Sequence, residues 1–433
     1  MRWRIVFAAG IGALAGRRAV NTWRALNRWR VPSFVRADLG PDDIGVPVFT
    51  YHSVADAATP DAVSLAAFER HMRYLAENGY HTLSADELHD HLVESRPIPR
   101  KTVVITFDDG RATLWTAAFP LLQQYAMRAV CFLIPGTMPE AGVRSTLADV
   151  RAGRDGSLEA VLAADRSACP SITWQEARLM HDSGLIDFQS HSLHHTLIFT
   201  GPAIVDFVHP AFDAGYASVH IPAIRQAGTD YIRERPPLGT PIYRSQPRLG
   251  AACRFFDDEG LRQACIETVN AGGGRAFFER ADWRGTLSQM ASAYRHQHAL
   301  AETFESPQEQ ADAIRHSLAH SRNLIEEHLA GHRVRHLCYP WHHYSILAAS
   351  LAREVGYISA FTAINQQKLA PCWNDPYAIQ RLVPINEPGD DPYQITRIDA
   401  RNDIILSLPG NGRRIYSRRV AARLFRLAVW GRG

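Results

Sequence analysis

Residues 101–110, KTVVITFDDG, decide how the chain is read. Val103, Val104 and Ile105 are β-branched, and a short apolar run closed by a glycine reads as a buried strand rather than a helix. Asp108 and Asp109 stand at its C-terminal end. Neighbouring side chains on a strand point to opposite faces, so two adjacent carboxylates serve one site only where the chain leaves the strand, and Gly110 permits that bend. Residues 112–127 then carry Leu114, Ala117, Ala118, Leu121 and Leu122 at helical spacing, and 129–134 is a second apolar strand. This is a βαβ unit with its acids at the strand end where α/β sheets and barrels hold their ligands. Taken alone, Asp-Asp-Gly also fits a turn with a helix N-cap, so the rest of the chain has to decide.

At 433 residues the chain can bury a large core, and an α/β barrel with insertions would absorb most of its length. A hydrophobic content of 46% with 21% charged residues is that of a globular protein, and a net charge of +3 makes no case for a nucleic-acid partner. Cysteines 131, 169, 253, 265, 338 and 372 lie singly, and Cys131 and Cys338 sit in apolar runs. They read as free thiols rather than a disulfide framework or a zinc knuckle.

The N-terminal MRWRIVFAAGIGALAG sets Arg2 and Arg4 before about a dozen apolar residues, shorter than a membrane span and closer to a signal-peptide core. RRAVNTWRALNRWR follows, with Val20, Trp23, Leu26 and Trp29 at helical intervals among arginines, the composition of an interfacial anchor. From Arg413 the C-terminus repeats the theme. The expected organisation is a membrane-associating segment at 1–45, a barrel at 46–400 interrupted at about 137–169 and 199–305, and a basic amphipathic tail at 401–433.

Within the barrel, VPVFTYHSV reads as a strand ending in Tyr51-His52-Ser53. Helices are expected after Ser64, after the capping boxes Ser84/Glu87 and Thr173/Glu176, and from Pro307 behind Ser306. LIDFQS at 185–190 is a strand that runs into His191-Ser-Leu-His-His195. Residues 199–305, with the Pro-rich run RPPLGTPIYRSQPRLG, read as an excursion of short helices from the core. Further strands are expected at 334–339, in GYISAFTAI and, last, in AIQRLVPI around Arg381.

Asp109, His191 and His195 make a metal-ligand set: one carboxylate and two imidazoles leave a coordination position open on a zinc-like ion, as catalytic sites require. His-x-x-x-His converges readily on one helical turn, although a chain with 20 histidines contains such pairs by chance. Asp108, beside a metal-held Asp109, has a natural role as general base toward water. A cation also removes the repulsion between two neighbouring carboxylates.

TFDDG followed by HSLHH resembles the polysaccharide deacetylase family, the NodB-homology enzymes akin to carbohydrate esterase family 4. FTYHSV, LAENGYHTLS and CFLIPG resemble its opening segment, HLCYPWHHYS its aromatic-Pro-aromatic groove motif, and GYISAFTAI its last barrel strand. The resemblance covers roughly 46–136, 170–198 and 306–386. It implies a distorted (β/α) barrel of about seven strands, an α/β fold, and hydrolysis of an N-acetyl group from an amino sugar. Asp108 would be the base, and Asp109, His191 and His195 the ligands of a divalent metal, zinc by expectation.

The chain also departs from that pattern. Cys338 stands where many members have an arginine, and His342 where a glycine usually follows the aromatic. The basic residue that orients Asp108 is therefore expected elsewhere, at Arg381 first and Arg244 or Arg248 next. No late Leu-x-x-His follows Arg381, so His52 is nominated as general acid, and Tyr339 and Trp341 as a sugar-stacking wall. The expected partners are an acylated amino-sugar glycan and, through the termini, the bacterial inner membrane, with export through an N-terminal signal as the alternative. A non-catalytic glycan-binding protein on the same fold, an O-deacetylase or another amide hydrolase are the competing functions.

Overall fold

The computed structural model describes residues 45–212, 222–226, 229–231, 236–363, 386–400 and 404–408. The expected segment at 1–44, Arg381, Cys372 and most of the 401–433 tail lie outside the described residues. Among the described residues, no helix is long and apolar enough to cross a membrane.

Seven parallel strands form the core: β1 (Val48–Tyr51), β2 (Thr102–Asp109), β3 (Ala129–Leu133), β4 (Ile186–Ser190), β5 (His336–Cys338), β6 (Ser359–Ala363) and β7 (Ile395–Asp399). Each pairs with the next in sequence, and β7 returns to β1, which closes the barrel. A parallel step needs a crossover. Helices supply several of them, each but α3 with a side-chain N-cap: α1 (Leu65–Glu77) and α2 (Ala85–Glu94) before β2, α3 (Phe119–Gln124) before β3, α4 (Trp174–Asp182) before β4, α5 (Pro307–His328) before β5 and α6 (Ile346–Val355) before β6. The boxes at Ser84/Glu87, Thr173/Glu176 and Ser306/Glu309 are each reciprocal, so two N–H groups per helix start are satisfied. The helix read over 112–127 forms in two parts. Residues Leu114–Ala118 widen into a π-type turn ahead of α3, consistent with Pro120 having no N–H to return to a carbonyl one turn back.

Alternation along β2 sorts the core. Phe107 points outward and packs with Tyr51 and with Phe68 of α1, at ring centroid distances of 5.4 and 5.8 Å. Val104, on the other face, joins Val48, Val130, Phe132, Phe361 and Ile395 in a buried apolar cluster inside the barrel. Above that layer the same faces carry Thr106 and Asp108 on β2, Thr50 on β1 and Arg397 on β7, all buried. The interior is thus apolar below and polar at the C-terminal mouth.

The strand ITRID at 395–399 pairs with both β6 and β1 and completes the barrel; the expected strand AIQRLVPI, residues 378–385, lies outside the described residues. The seam between β4 and β5 is held by a single backbone register pair, Leu337 with Ser190. There the Gln189 side-chain oxygen accepts from the N–H groups of Arg335 and His336, both at 2.9 Å, in place of ladder bonds.

The long excursion leaves the barrel at this seam, and its described residues form strands and longer helices rather than short helices alone. Leu197–Phe207 pairs antiparallel with Pro241–Pro247, so part of the Pro-rich run is a strand with prolines at its ends. Helices Glu259–Ala271 and Trp283–His298 bury Leu261, Cys265, Val269, Trp283 and Leu287 against Phe207 and Phe277. The 137–169 stretch is likewise tied down, with Arg144 on the buried Glu176 of α4 at 2.5 Å and Asp165 accepting from the N–H and hydroxyl of Thr113 at 2.7 and 2.8 Å.

Candidate active site

β2 ends in two residues with left-handed backbones, Asp109 (φ 69) and Gly110 (φ 66). Without that turn the two carboxylates would face opposite sides of the sheet. Gly110 has a second constraint, since a Cβ there would lie 2.6 Å from Leu133 Cδ2.

Asp108, 1% exposed, is held from inside the barrel. Arg397 donates to both of its oxygens, Nη1 to Oδ1 at 2.6 Å and Nη2 to Oδ2 at 2.8 Å. The same guanidinium donates to Thr50 and Thr106 hydroxyls at 3.1 and 3.3 Å, and its Nη2 lies 2.9 Å from Cys338 Sγ. Burial alone would push the Asp108 pKa up, but the Arg397 charge and its hydrogen bonds hold it well below the usual carboxylate range. The acid is therefore ionised. The arginine that holds it comes from β7, while the Cys338 thiol fills the space beside it on β5.

Asp109 is held differently. Arg111 donates to Oδ2 alone, through Nε at 3.0 Å and Nη2 at 2.9 Å. Oδ1 is left facing His191 Nε2 at 3.6 Å and His195 Nε2 at 4.0 Å. Burial again pushes the pKa up, and the Arg111 charge brings it below the ordinary value.

The two imidazoles sit in the loop after β4. Their convergence owes nothing to a helical turn: Ser192 (φ 63) and His195 (φ 54) are left-handed, and the ring centroids lie 4.8 Å apart. His191 Nδ1 lies 2.9 Å from the Cys338 carbonyl, which can only accept, so its proton is on Nδ1 and the Nε2 lone pair faces the carboxylates. Burial lowers the pKa of His191, and burial with the neighbouring His191 lowers that of His195 to about 3, so both rings are neutral. The close approach of this loop to the β3 end requires Gly136, whose N–H donates to the Leu193 carbonyl at 2.9 Å and where a Cβ would lie 2.4 Å from that oxygen.

The donor atoms of Asp109, His191 and His195 lie within 4.8 Å of one another, all buried. The Asp109 contacts are too long for hydrogen bonds. They are a few tenths of an ångström from the roughly 3.4 Å ligand spacing around a tetrahedral ion with bonds of about 2.1 Å. A lone pair aimed at an anion, unrelieved by a proton, is the arrangement a cation stabilises, and the set fits a divalent metal. Asp108, His191 and Cys338 also converge within 4.8 Å, but Arg397 already occupies that side with positive charge.

His52, at the end of β1, is partly exposed, with Nε2 3.9 Å from Asp108 Oδ2. Arg248 lies elsewhere, paired with the buried Glu305 at 2.7 Å, and Arg244 is exposed. The expected aromatic wall is corrected by half: Tyr339 is fully buried and stacked on Tyr344 at 5.2 Å, so it offers no face to a sugar. Trp341 is 37% exposed, and its ring centroid lies 5.2 Å from that of His195. Arg111 and Arg397 escaped the sequence reading. The first is visible as a basic residue two positions past an acid at a bend, and the second as an arginine sharing the Ile395 face of a strand.

Comparison with known proteins places this geometry. Residues 95–204 match the family model described as polysaccharide deacetylase. The Bacillus subtilis (strain 168) protein YxkH, provisionally a polysaccharide deacetylase by name, is 37% identical over 89 residues, 21% of this chain and 32% of that protein. The poly-beta-1,6-N-acetyl-D-glucosamine N-deacetylase of Escherichia coli (strain K12) is 30% identical over 151 residues, 34% of this chain and 20% of its own length. The chain thus spans about a third and a fifth of these two relatives. A solved de-N-acetylase from Aggregatibacter actinomycetemcomitans aligns over 82% of this chain and 95% of its own at 18% identity, with a TM-score of 0.45. The matched residues 95–204 include Asp108, Asp109, His191 and His195, so the similarity to the polysaccharide deacetylase model covers the site.

Proposed function

We propose that the protein is a metal-dependent hydrolase that removes N-acetyl groups from an amino-sugar polymer of the poly-N-acetylglucosamine class. The observation that carries this reading is the division of two adjacent acids by two arginines. Arg397 takes both oxygens of Asp108, whereas Arg111 takes one oxygen of Asp109 and leaves the other facing two neutral imidazoles. The activity for which the Escherichia coli relative is named supports the substrate class.

Asp109, His191 and His195 would hold the ion, for which zinc suits a carboxylate with two imidazoles. When bound, the ion would polarise the acyl carbonyl and make water more acidic. Asp108, ionised and fixed at both oxygens, accepts a proton from the attacking water. His52 stands beside it, partly exposed, to give a proton to the leaving amine. The basic amphipathic ends, 1–45 and 401–433, support a place at a bacterial membrane surface.

Acetate release from N-acetylated chito-oligosaccharides and from poly-β-1,6-N-acetylglucosamine tests the reading. The expected result is release that stops on chelation and returns with Zn²⁺. Release by metal-free protein, or from O-acetyl esters alone, would overturn it. Sedimentation of the full chain with anionic lipid vesicles, but not with neutral ones, is the outcome expected of the termini.

A further inference from the structure

After β5 the chain makes a turn in which two consecutive residues with side chains, Trp341 (φ 54) and His342 (φ 58), adopt left-handed backbones. Such conformations are unfavourable for residues with a Cβ and persist only where the surroundings impose them. Here the surroundings do. The His342 N–H donates to the Tyr339 carbonyl at 3.0 Å, the Thr362 hydroxyl donates to the His342 carbonyl at 3.0 Å, and the His343 N–H donates to the Pro340 carbonyl at 3.1 Å.

The turn sends its two side chains to opposite sides of the site. Trp341 lies against His195, on the side of the proposed metal ligands. His342 lies against Arg397, on the side of Asp108, with Nδ1 3.3 Å from Arg397 Nη2. A guanidinium has only donors, so Nδ1 is the acceptor and the neutral ring carries its proton on Nε2. Among the described residues, no protein group accepts from that Nε2–H, and the residue is partly exposed. The cation behind the ring polarises it and strengthens the free N–H as a donor, much as a neutral imidazole polarises a substrate oxygen in other enzymes. Burial first and the Arg397 charge next lower the His342 pKa to about 3, which keeps the ring neutral at working pH.

We propose that His342 is a substrate-positioning residue whose Nε2–H, fixed by Arg397, donates a hydrogen bond to an oxygen of the bound amino sugar, on the Asp108 side and across from Trp341. The role rests on the deacetylase reading above. It assigns work to a side chain at a position where a glycine would relieve the backbone and leave the donor out.

His342→Gly keeps the turn, because glycine accepts φ near +58° freely. Loss of one donor to the substrate is expected to raise KM about ten-fold while kcat falls less than about three-fold. His342→Asn, which tolerates a left-handed backbone and keeps an N–H donor, is expected to fall between that variant and the wild type. Selective ¹⁵N-histidine spectra of the full metal-loaded chain are expected to show His342 as the Nε2–H tautomer, with that resonance shifting when chito-oligosaccharide product is added. A His342→Gly variant that melts like the wild type, with KM unchanged or only kcat reduced, would overturn the role, as would a proton on Nδ1. Wild-type protein that releases acetate from no N-acetylated sugar would instead overturn the deacetylase reading, and the positioning role with it.

Discussion

Asp108 and Asp109 are neighbours in sequence, both buried, yet their surroundings have little in common. Around Asp108 donors predominate: a bidentate guanidinium, itself tied to two threonine hydroxyls and lying against a thiol, with His191 Nε2 3.9 Å from Oδ2. Around Asp109, among the described residues, one oxygen accepts from Arg111 and the other faces the Nε2 atoms of two imidazoles at 3.6 and 4.0 Å. The first environment stabilises a carboxylate as an anion that can take up a proton. The second is the one in which the proposed cation would sit. On that proposal chemistry divides between two residues of the same type through what stands behind each, with the left-handed turn at Asp109 making the division possible.

The contrast can be broken from either side. Arg397→Ala strips the Asp108 side and leaves a buried carboxylate unpaired, which costs about 3–5 kcal/mol of folding stability. Urea titration checks the size, and metal content should fall much less than stability. Arg111→Ala acts on the other side: Asp109 loses the partner that fixes its orientation, and metal affinity is expected to drop about 10–100-fold. Competition with a chelator measures it, and excess metal should restore most activity. Cys338→Ser is the smallest change, because a hydroxyl also accepts from Arg397. Activity within about three-fold of the wild type is expected in initial-rate measurements, and a large loss would mean that the thiol does more than fill space beside Arg397.

Much of this was legible in residues close together in sequence. The strand ending in Asp108 and Asp109, the loop from His191 to His195, and the capping boxes at Ser84, Thr173 and Ser306 all depend on spacings of a few residues, and the structure places them as read. What escaped depends on long-range register. Arg397 reaches Asp108 across 289 positions, from a five-residue strand whose only sign was an arginine between isoleucines. Tyr339 resembles a binding residue by type, and only its burial against Tyr344 shows otherwise. The antiparallel strand pair of the excursion was hidden by Pro241 and Pro247, which read as breakers but lie at strand ends.

The central claim, that one acid serves the proton and the other the metal, is tested most directly by measuring bound metal and acetate release together in Asp108→Asn and Asp109→Asn. Asp108→Asn is expected to retain stoichiometric metal while activity falls on the order of 10⁴-fold, and Asp109→Asn to lose both metal and activity. Loss of metal from Asp108→Asn, or an active Asp109→Asn enzyme, would contradict the account.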